Sequence, residues 1–351
     1  MALHRLEPFS LVKRCAVLSP TAPGPERCQV SRRENAQVHA LPGHSDHPTP
    51  RVIDLHQDIL SGVALLDGGF PVYGSCYLSG SRRAAAVWSS LYPHHPESSL
   101  LAQLQAHGEL LASHSSHLRL ITTVEDLDAD DARTGVLPHS EGLPLPGVEP
   151  DALDSLWAEH SLRSLSTTWN YETAYAYSCY DNAAAPLKPA GRRLLRALEA
   201  SPLFLDLAHL NEAGFYQALD LYASPVLETH SFCRSIVDHP RGLSDDQLRA
   251  LGEHGGLVGL AFPPDFLGEH GSVDEALGHV DRIATLAGEG AVSIGSDWGV
   301  AAMGELADPA SLVELLVAID REYGPDLAER FAFANADGFL RDQLPAGPAP
   351  A

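Results

Sequence analysis

Six residues able to ligate a metal or move a proton stand at the ends of apolar runs. His56 and Asp58 follow RVIDL in an H-x-D arrangement, and Glu141 ends TGVLPHSEG. His209 lies in LFLDLAHL, His230 closes PVLETH, and Asp297 lies in AVSIGSDW. Alternate residues of an extended chain point the same way, so His56 and Asp58 can serve one ligand. Imidazoles and carboxylates gathered in one place would repel or strand one another without a cation between them. Such a set, with no thiolate, suits zinc ahead of manganese or cobalt. A single histidine near a strand end is more often a hydrogen-bonded structural group. The signal is the repetition of ligand types at the same end of five different runs.

The elements that would position these residues are legible as a pattern. From Arg51 onward, eight short apolar runs occur: 51–56, 84–92, 134–142, 164–170, 203–210, 225–230, 256–262 and 291–298. Most are separated by amphipathic segments such as SLLAQLQAHGELLASH, EAGFYQALDLYA and SDDQLRALGEHG, the last opened by a capping box of Ser244 and Gln247. Buried strands joined by helical crossovers indicate a parallel sheet covered by helices. The pattern predicts an α/β fold, a (β/α)₈ TIM barrel with a metal site at the C-terminal ends of its strands, where active sites of this architecture lie. From the pattern alone, a doubly wound open sheet is the alternative.

Residues 1–50 read differently. They are rich in Pro, Ser, Arg and His, lack periodicity, and carry six basic against four acidic residues, so of the net charge of −23 the remaining 301 residues carry −25. We expect a disordered N-terminal extension over 1–50, a barrel over 51–342 and a flexible tail over 343–351. The acidic balance disfavours nucleic acid and anionic membranes as partners. Five scattered cysteines (Cys15, Cys28, Cys76, Cys179, Cys233) form no C-x-x-C pair, and no apolar stretch approaches the length of a membrane span. These features predict a soluble, cytoplasmic protein acting on a small molecule.

Neither H-E-x-x-H nor G-x-S-x-G occurs, which argues against a helix-borne zincin site and a serine hydrolase elbow. Over 51–342 the sequence resembles the membrane (renal) dipeptidase family. The likeness is carried by DLHQD, AVWSSLYP, SEG, LRSLSTTWN, LDLAHL, VSIGSDWG and FAFANADGFLRD. Its most specific stretch is ETHSFCRSIVDHPRGLSDDQLRALGEHGGLVGLAF, at 228–262. The resemblance implies two zinc ions per chain, His56 and Asp58 holding one, His209 and His230 the other, with Glu141 bridging both. It implies a water between the ions as nucleophile, Asp297 as its proton acceptor, and Arg241 as the partner of a dipeptide's free carboxylate, a task suited to a planar guanidinium. A homodimer is also implied. One position departs from the family pattern: Trp169, between Thr168 and Asn170, stands where the family has a substrate-contacting histidine. An indole donates one hydrogen bond but carries no charge. Two other readings therefore stand beside a dipeptidase: a barrel amidohydrolase acting on an acylated amino acid or a lactam, and a weakly catalytic metal-dependent binding protein.

Overall fold

A computed structural model describes residues 51–57, 76–77, 100–116, 118–129, 133–142, 150–298, 303–308 and 311–347. The expected extension over 1–50, the expected strand at 84–92 and Asp58 lie outside the described residues. Among the described residues nine strands follow in chain order: β1 (Cys76–Tyr77), β2 (Leu118–Leu120), β3 (Thr134–Val136), β4 (His139–Glu141), β5 (Ser164–Ser166), β6 (Phe204–Asp206), β7 (Leu227–Ser231), β8 (Leu257–Leu260) and β9 (Val292–Ile294). Seven form one sheet in the order β1-β4-β5-β6-β7-β8-β9, every pair parallel, and β2 pairs with β3 separately. Sequential parallel order with intervening helices is the arrangement of a TIM-barrel-like α/β fold. The segment 51–57 lies beside β9 through parallel bridges Asp54–Ile294 and Gln57–Trp298. Among the described residues the ring is not closed between this segment and β1.

Strand neighbours point to opposite faces and divide the core into two layers. Leu205, Val258, Val292 and Ile294 face outward and pack with Leu248, Leu251, Val280 and Ile283 of the covering helices. Phe204, Leu227 and Leu257, each the first residue of its strand, face inward with Ile53 and Leu137. Phe333, Phe339 and Leu340 of the C-terminal segment join this inner cluster. The Ile53 N–H donates to the Ala332 carbonyl at 2.9 Å, tying the first strand segment to that plug. Apolar side chains thus fill the interior at the strand starts and leave the strand ends to polar groups.

The helices form where the pattern placed them, over Leu100–Ser113, Pro150–His160, Glu212–Leu221, Asp245–Glu253 and Val273–Ala287. Ser244 accepts from the Gln247 N–H while the Gln247 side chain reaches back, completing the expected capping box. Helix Val273–Ala287 buries Ala276, His279, Val280 and Ile283, one stripe at helical spacing. No described helix is long and apolar enough to cross a membrane. Two expectations are corrected. The run 134–142 is two strands, broken at Pro138, which has no N–H for a ladder. None of the eight expected runs covers 118–120, where β2 forms. Of the tail over 343–351, residues 343–347 are described: Leu344 is buried, and the Val124 N–H donates to the Pro345 carbonyl at 3.1 Å.

Candidate metal centre

Each site residue is delivered by the end of a strand or strand-like segment. His56 ends the segment beside β9, Glu141 is the last residue of β4, and His230 lies in β7. The β7 ladder to β8 shifts register between Glu228 and Ser231, an irregularity of the kind that re-aims side chains near sites. His209 and Asp297 each lie three residues past the ends of β6 and β9, and both have left-handed backbone, at φ 66° and 60°. A non-glycine residue held there costs about 1–3 kcal/mol, which the surroundings must offset. The Cys179 N–H donates to the His209 carbonyl at 2.7 Å, and the Asp297 N–H to the His56 carbonyl at 3.0 Å. These bonds fix the two turns that aim the side chains.

The side chains converge. His209 Nε2 lies 2.7 Å and His230 Nε2 3.2 Å from Glu141 Oε1, with the two ring nitrogens 3.0 Å apart. His56 Nε2 is 3.7 Å from Asp297 Oδ1, and its ring stacks on His230 at 3.7 Å between centroids. Two ligand groups result, Glu141 with His209 and His230, and His56 with His230 and Asp297, each set of donor atoms within 4.8 Å of one another. All five residues are buried. Burial first, then neighbouring imidazoles and Arg241, holds His56 and His230 well below the ordinary histidine range. For His209, burial and then Arg241 act in the same direction. Neutral imidazoles beside carboxylates are the ligand form a divalent ion requires. Nitrogen and oxygen donors packed this tightly, with no thiolate among them, fit a zinc-type cation.

Beneath these residues are supports that the sequence reading did not single out. Asp54 Oδ1 accepts the His56 N–H at 3.2 Å and the Ser296 N–H at 2.8 Å. Its Oδ2 accepts from Gln57 Nε2 at 2.8 Å and from the Ser296 hydroxyl. One carboxylate therefore joins the His56 segment to the turn that carries Asp297. Asp206, the last residue of β6, does the same beneath His209 and His230. Its signal, a polar residue within LFLDLAHL and in step with His209's run, was present but indistinct from that of any polar strand residue.

Arg241 is buried in the loop after β7. Its guanidinium meets Glu228 Oε1 at 3.3 Å and donates to the His230 carbonyl. Burial pushes the Glu228 carboxyl up to about 8 although Arg241 opposes this. Trp169 and Asn170 follow β5, with the Trp169 ring buried and edge-on to Tyr171 at 6.0 Å.

Comparison with known proteins agrees with this geometry. Residues 70–336 match the model of the membrane dipeptidase family, peptidase family M19. The chain belongs to the membrane dipeptidase family. Membership makes it a metallo-hydrolase by descent, with a metal site to be sought where the ligand groups converge. An uncharacterised protein from the pqqA 5′ region of Klebsiella pneumoniae is 30% identical over 241 residues, 64% of this chain and 88% of that one. A metallo peptidase from Rhodobacter sphaeroides, solved with a phosphinate mimic of the dipeptide L-Ala-D-Ala, superposes with a TM-score of 0.70 at 26% identity. That match covers 84% of this chain and 99% of the other. The M19 metallo peptidase dipeptidase AC gives a TM-score of 0.70 at 25% identity, over 85% and 100% of the two chains. The chain spans less than two thirds of several other curated relatives, for example 61% of a protein from Acinetobacter calcoaceticus and 47% of dipeptidase verJ from Clonostachys rogersoniana.

Proposed function

We propose that this family member hydrolyses dipeptides, using two zinc ions held by His56, Asp58, Glu141, His209 and His230. The observation that carries the reading is the convergence of three imidazoles and two carboxylates at the strand ends, in two candidate ligand groups. The ions, when bound, supply an acidified water as nucleophile and polarise the scissile carbonyl. Glu141, whose Oε1 faces the imidazoles of His209 and His230, would hold the ion of that pair and is proposed to reach the other ion as well. Asp297, held 3.7 Å from His56 by its turn, takes the proton of the attacking water and returns it to the departing amine. The peptide C–N bond breaks as the new C–O bond is made, and no redox partner is needed. Arg241, Trp169 and Asn170 are proposed to contact the substrate. A reducing compartment such as the cytoplasm is proposed too, supported by Cys179 and Cys233, which are both free thiols.

One observation favours a second reading. The Arg241 guanidinium already has a carboxylate partner in Glu228, so a substrate without a free carboxylate, such as a lactam or another amide, becomes a competitor to a dipeptide. Purified protein saturated with zinc should be assayed on L-X-L and L-X-D dipeptides, acylated amino acids and lactams. Turnover confined to dipeptides supports the first reading. Turnover confined to lactams or other amides without a free carboxylate supports the second, turnover confined to acylated amino acids counts against both, and no turnover at full metal occupancy rejects both.

A further inference from the structure

His230 Nε2 faces the centre, and its other ring nitrogen is held by a chain of two buried groups. His230 Nδ1 lies 3.0 Å from the Thr229 hydroxyl, which lies 2.8 Å from Asp206 Oδ2. Asp206 Oδ1 accepts the backbone N–H groups of Thr229 and Ala208, each at 3.0 Å. His139 Nε2 approaches Asp206 Oδ2 at 3.3 Å, while its Nδ1 lies 2.7 Å from Ser164 Oγ. Asp206, Thr229 and His139 are all buried. The sheet is built closely around this point: a Cβ on Gly259 or Gly295 would overlap the Thr229 carbonyl.

Counting hydrogens fixes the direction of the chain. A carboxylate surrounded by donors only accepts, so the single hydroxyl hydrogen of Thr229 is spent on Asp206. The remaining lone pairs of that hydroxyl can only accept, so His230 Nδ1 must carry the proton. A neutral imidazole has one N–H, which leaves the Nε2 lone pair directed at Glu141 and His209. We infer that Asp206 and Thr229 are positioning residues that lock His230 as its Nδ1–H tautomer and so present Nε2 as a ligand. Without the hydroxyl the ring is free to place its hydrogen on Nε2, toward Glu141, where it would block a cation. This inference rests on the metal-dependent reading above, and it says which residues make one of its ligands competent.

The test is cobalt(II) affinity, read by chelator competition and by the visible spectrum of the bound ion, in wild type, Thr229→Val and Thr229→Ser. Loss of a group that orients a ligating histidine weakens metal binding by about 10–100-fold. Valine keeps the shape and removes the hydroxyl, so a loss of that size is expected. Serine restores the hydroxyl, so affinity within about threefold of wild type is expected. Equal losses in both variants would show that close packing at this position, not the hydroxyl, sets the affinity, and no loss in either would remove the role, so both outcomes overturn the inference. The metal-free wild type gives a readout that depends on no variant folding. With ¹⁵N-labelled histidine, and His230 assigned by comparison with His230→Gln, Nδ1 should show the protonated shift and Nε2 the unprotonated one. The reverse pattern overturns the inference. A wild type that binds no cobalt would instead reject the metal-dependent reading, and the tautomer measurement would still stand.

Discussion

Asp54 offers the sharpest test of how the fold holds the site, because its two oxygens have separable duties. Oδ1 takes two backbone N–H groups, from His56 and Ser296, which cannot turn elsewhere. Oδ2 takes the Gln57 amide and the Ser296 hydroxyl, both of which can rotate, and the hydroxyl has the His56 carbonyl at 3.3 Å as a second acceptor. Asp54→Ala strands the two buried backbone donors, at about 1–3 kcal/mol each. Removing a buried carboxylate recovers part of this, so a net loss of about 2–4 kcal/mol is expected. Asp54→Asn keeps an oxygen at Oδ1 and puts an amide where the Ser296 hydroxyl can accept, so its loss should stay below about 1.5 kcal/mol. Urea unfolding of the metal-free proteins measures both, and cobalt affinity follows the consequence for His56 and Asp297. The alanine variant should lose about 10–100-fold in affinity and the asparagine variant much less. Equal destabilisation by Ala and Asn would refute the division of labour between the two oxygens. Unchanged metal affinity in a folded alanine variant would refute the claim that this seam positions the site.

Three further outcomes follow. His107 is buried on helix Leu100–Ser113, and burial pushes its ring down to about 4. Because the fold favours the neutral ring, its contribution is complete above about pH 6.5 and is lost as pH falls toward 4, by about 3 kcal/mol; His107→Leu should flatten that slope in urea titrations from pH 4 to 7. Trp169→His, at the position where the family carries an imidazole, should raise kcat on dipeptides by about 10²-fold with metal content unchanged. A stable, metallated variant with no gain would remove Trp169 from the oxyanion role, and thermal unfolding must be followed because a smaller ring leaves a cavity. Removing residues 1–48 should leave folding, metal content and turnover intact, since every described core and site residue lies beyond them; aggregation or metal loss on truncation would show otherwise.

What the sequence made legible was the part written in strong local contrast. GLVGLAF and AVSIGSDW are apolar on both faces, as strands buried between a core and helices must be, and they appear as β8 and β9. Ser244 and Gln247 announced a helix start because capping is local chemistry. β2 was missed because Leu-Arg-Leu is too short to show a period, and Pro138 was read through because the residues beside it are apolar or extended. At the site, His56, Glu141, His209, His230 and Asp297 stood out because ionisable groups are rare on such runs. Asp54, Asp206 and Thr229 did not, since nothing local says which polar strand residue will meet donors or acceptors brought in by a neighbouring strand. The left-handed turns at His209 and Asp297 were also illegible, because neither position is glycine and tertiary contacts impose the conformation.

The strand ends are proposed to hold two divalent ions, His56 and Asp58 on one and His209 and His230 on the other, with Glu141 common to both. Metal analysis of the zinc-saturated, dialysed protein tests this central claim most directly. The account predicts close to two zinc ions per chain, with both weakened together in Glu141→Gln. A ratio near one, or two ions that Glu141→Gln leaves undisturbed, would contradict it.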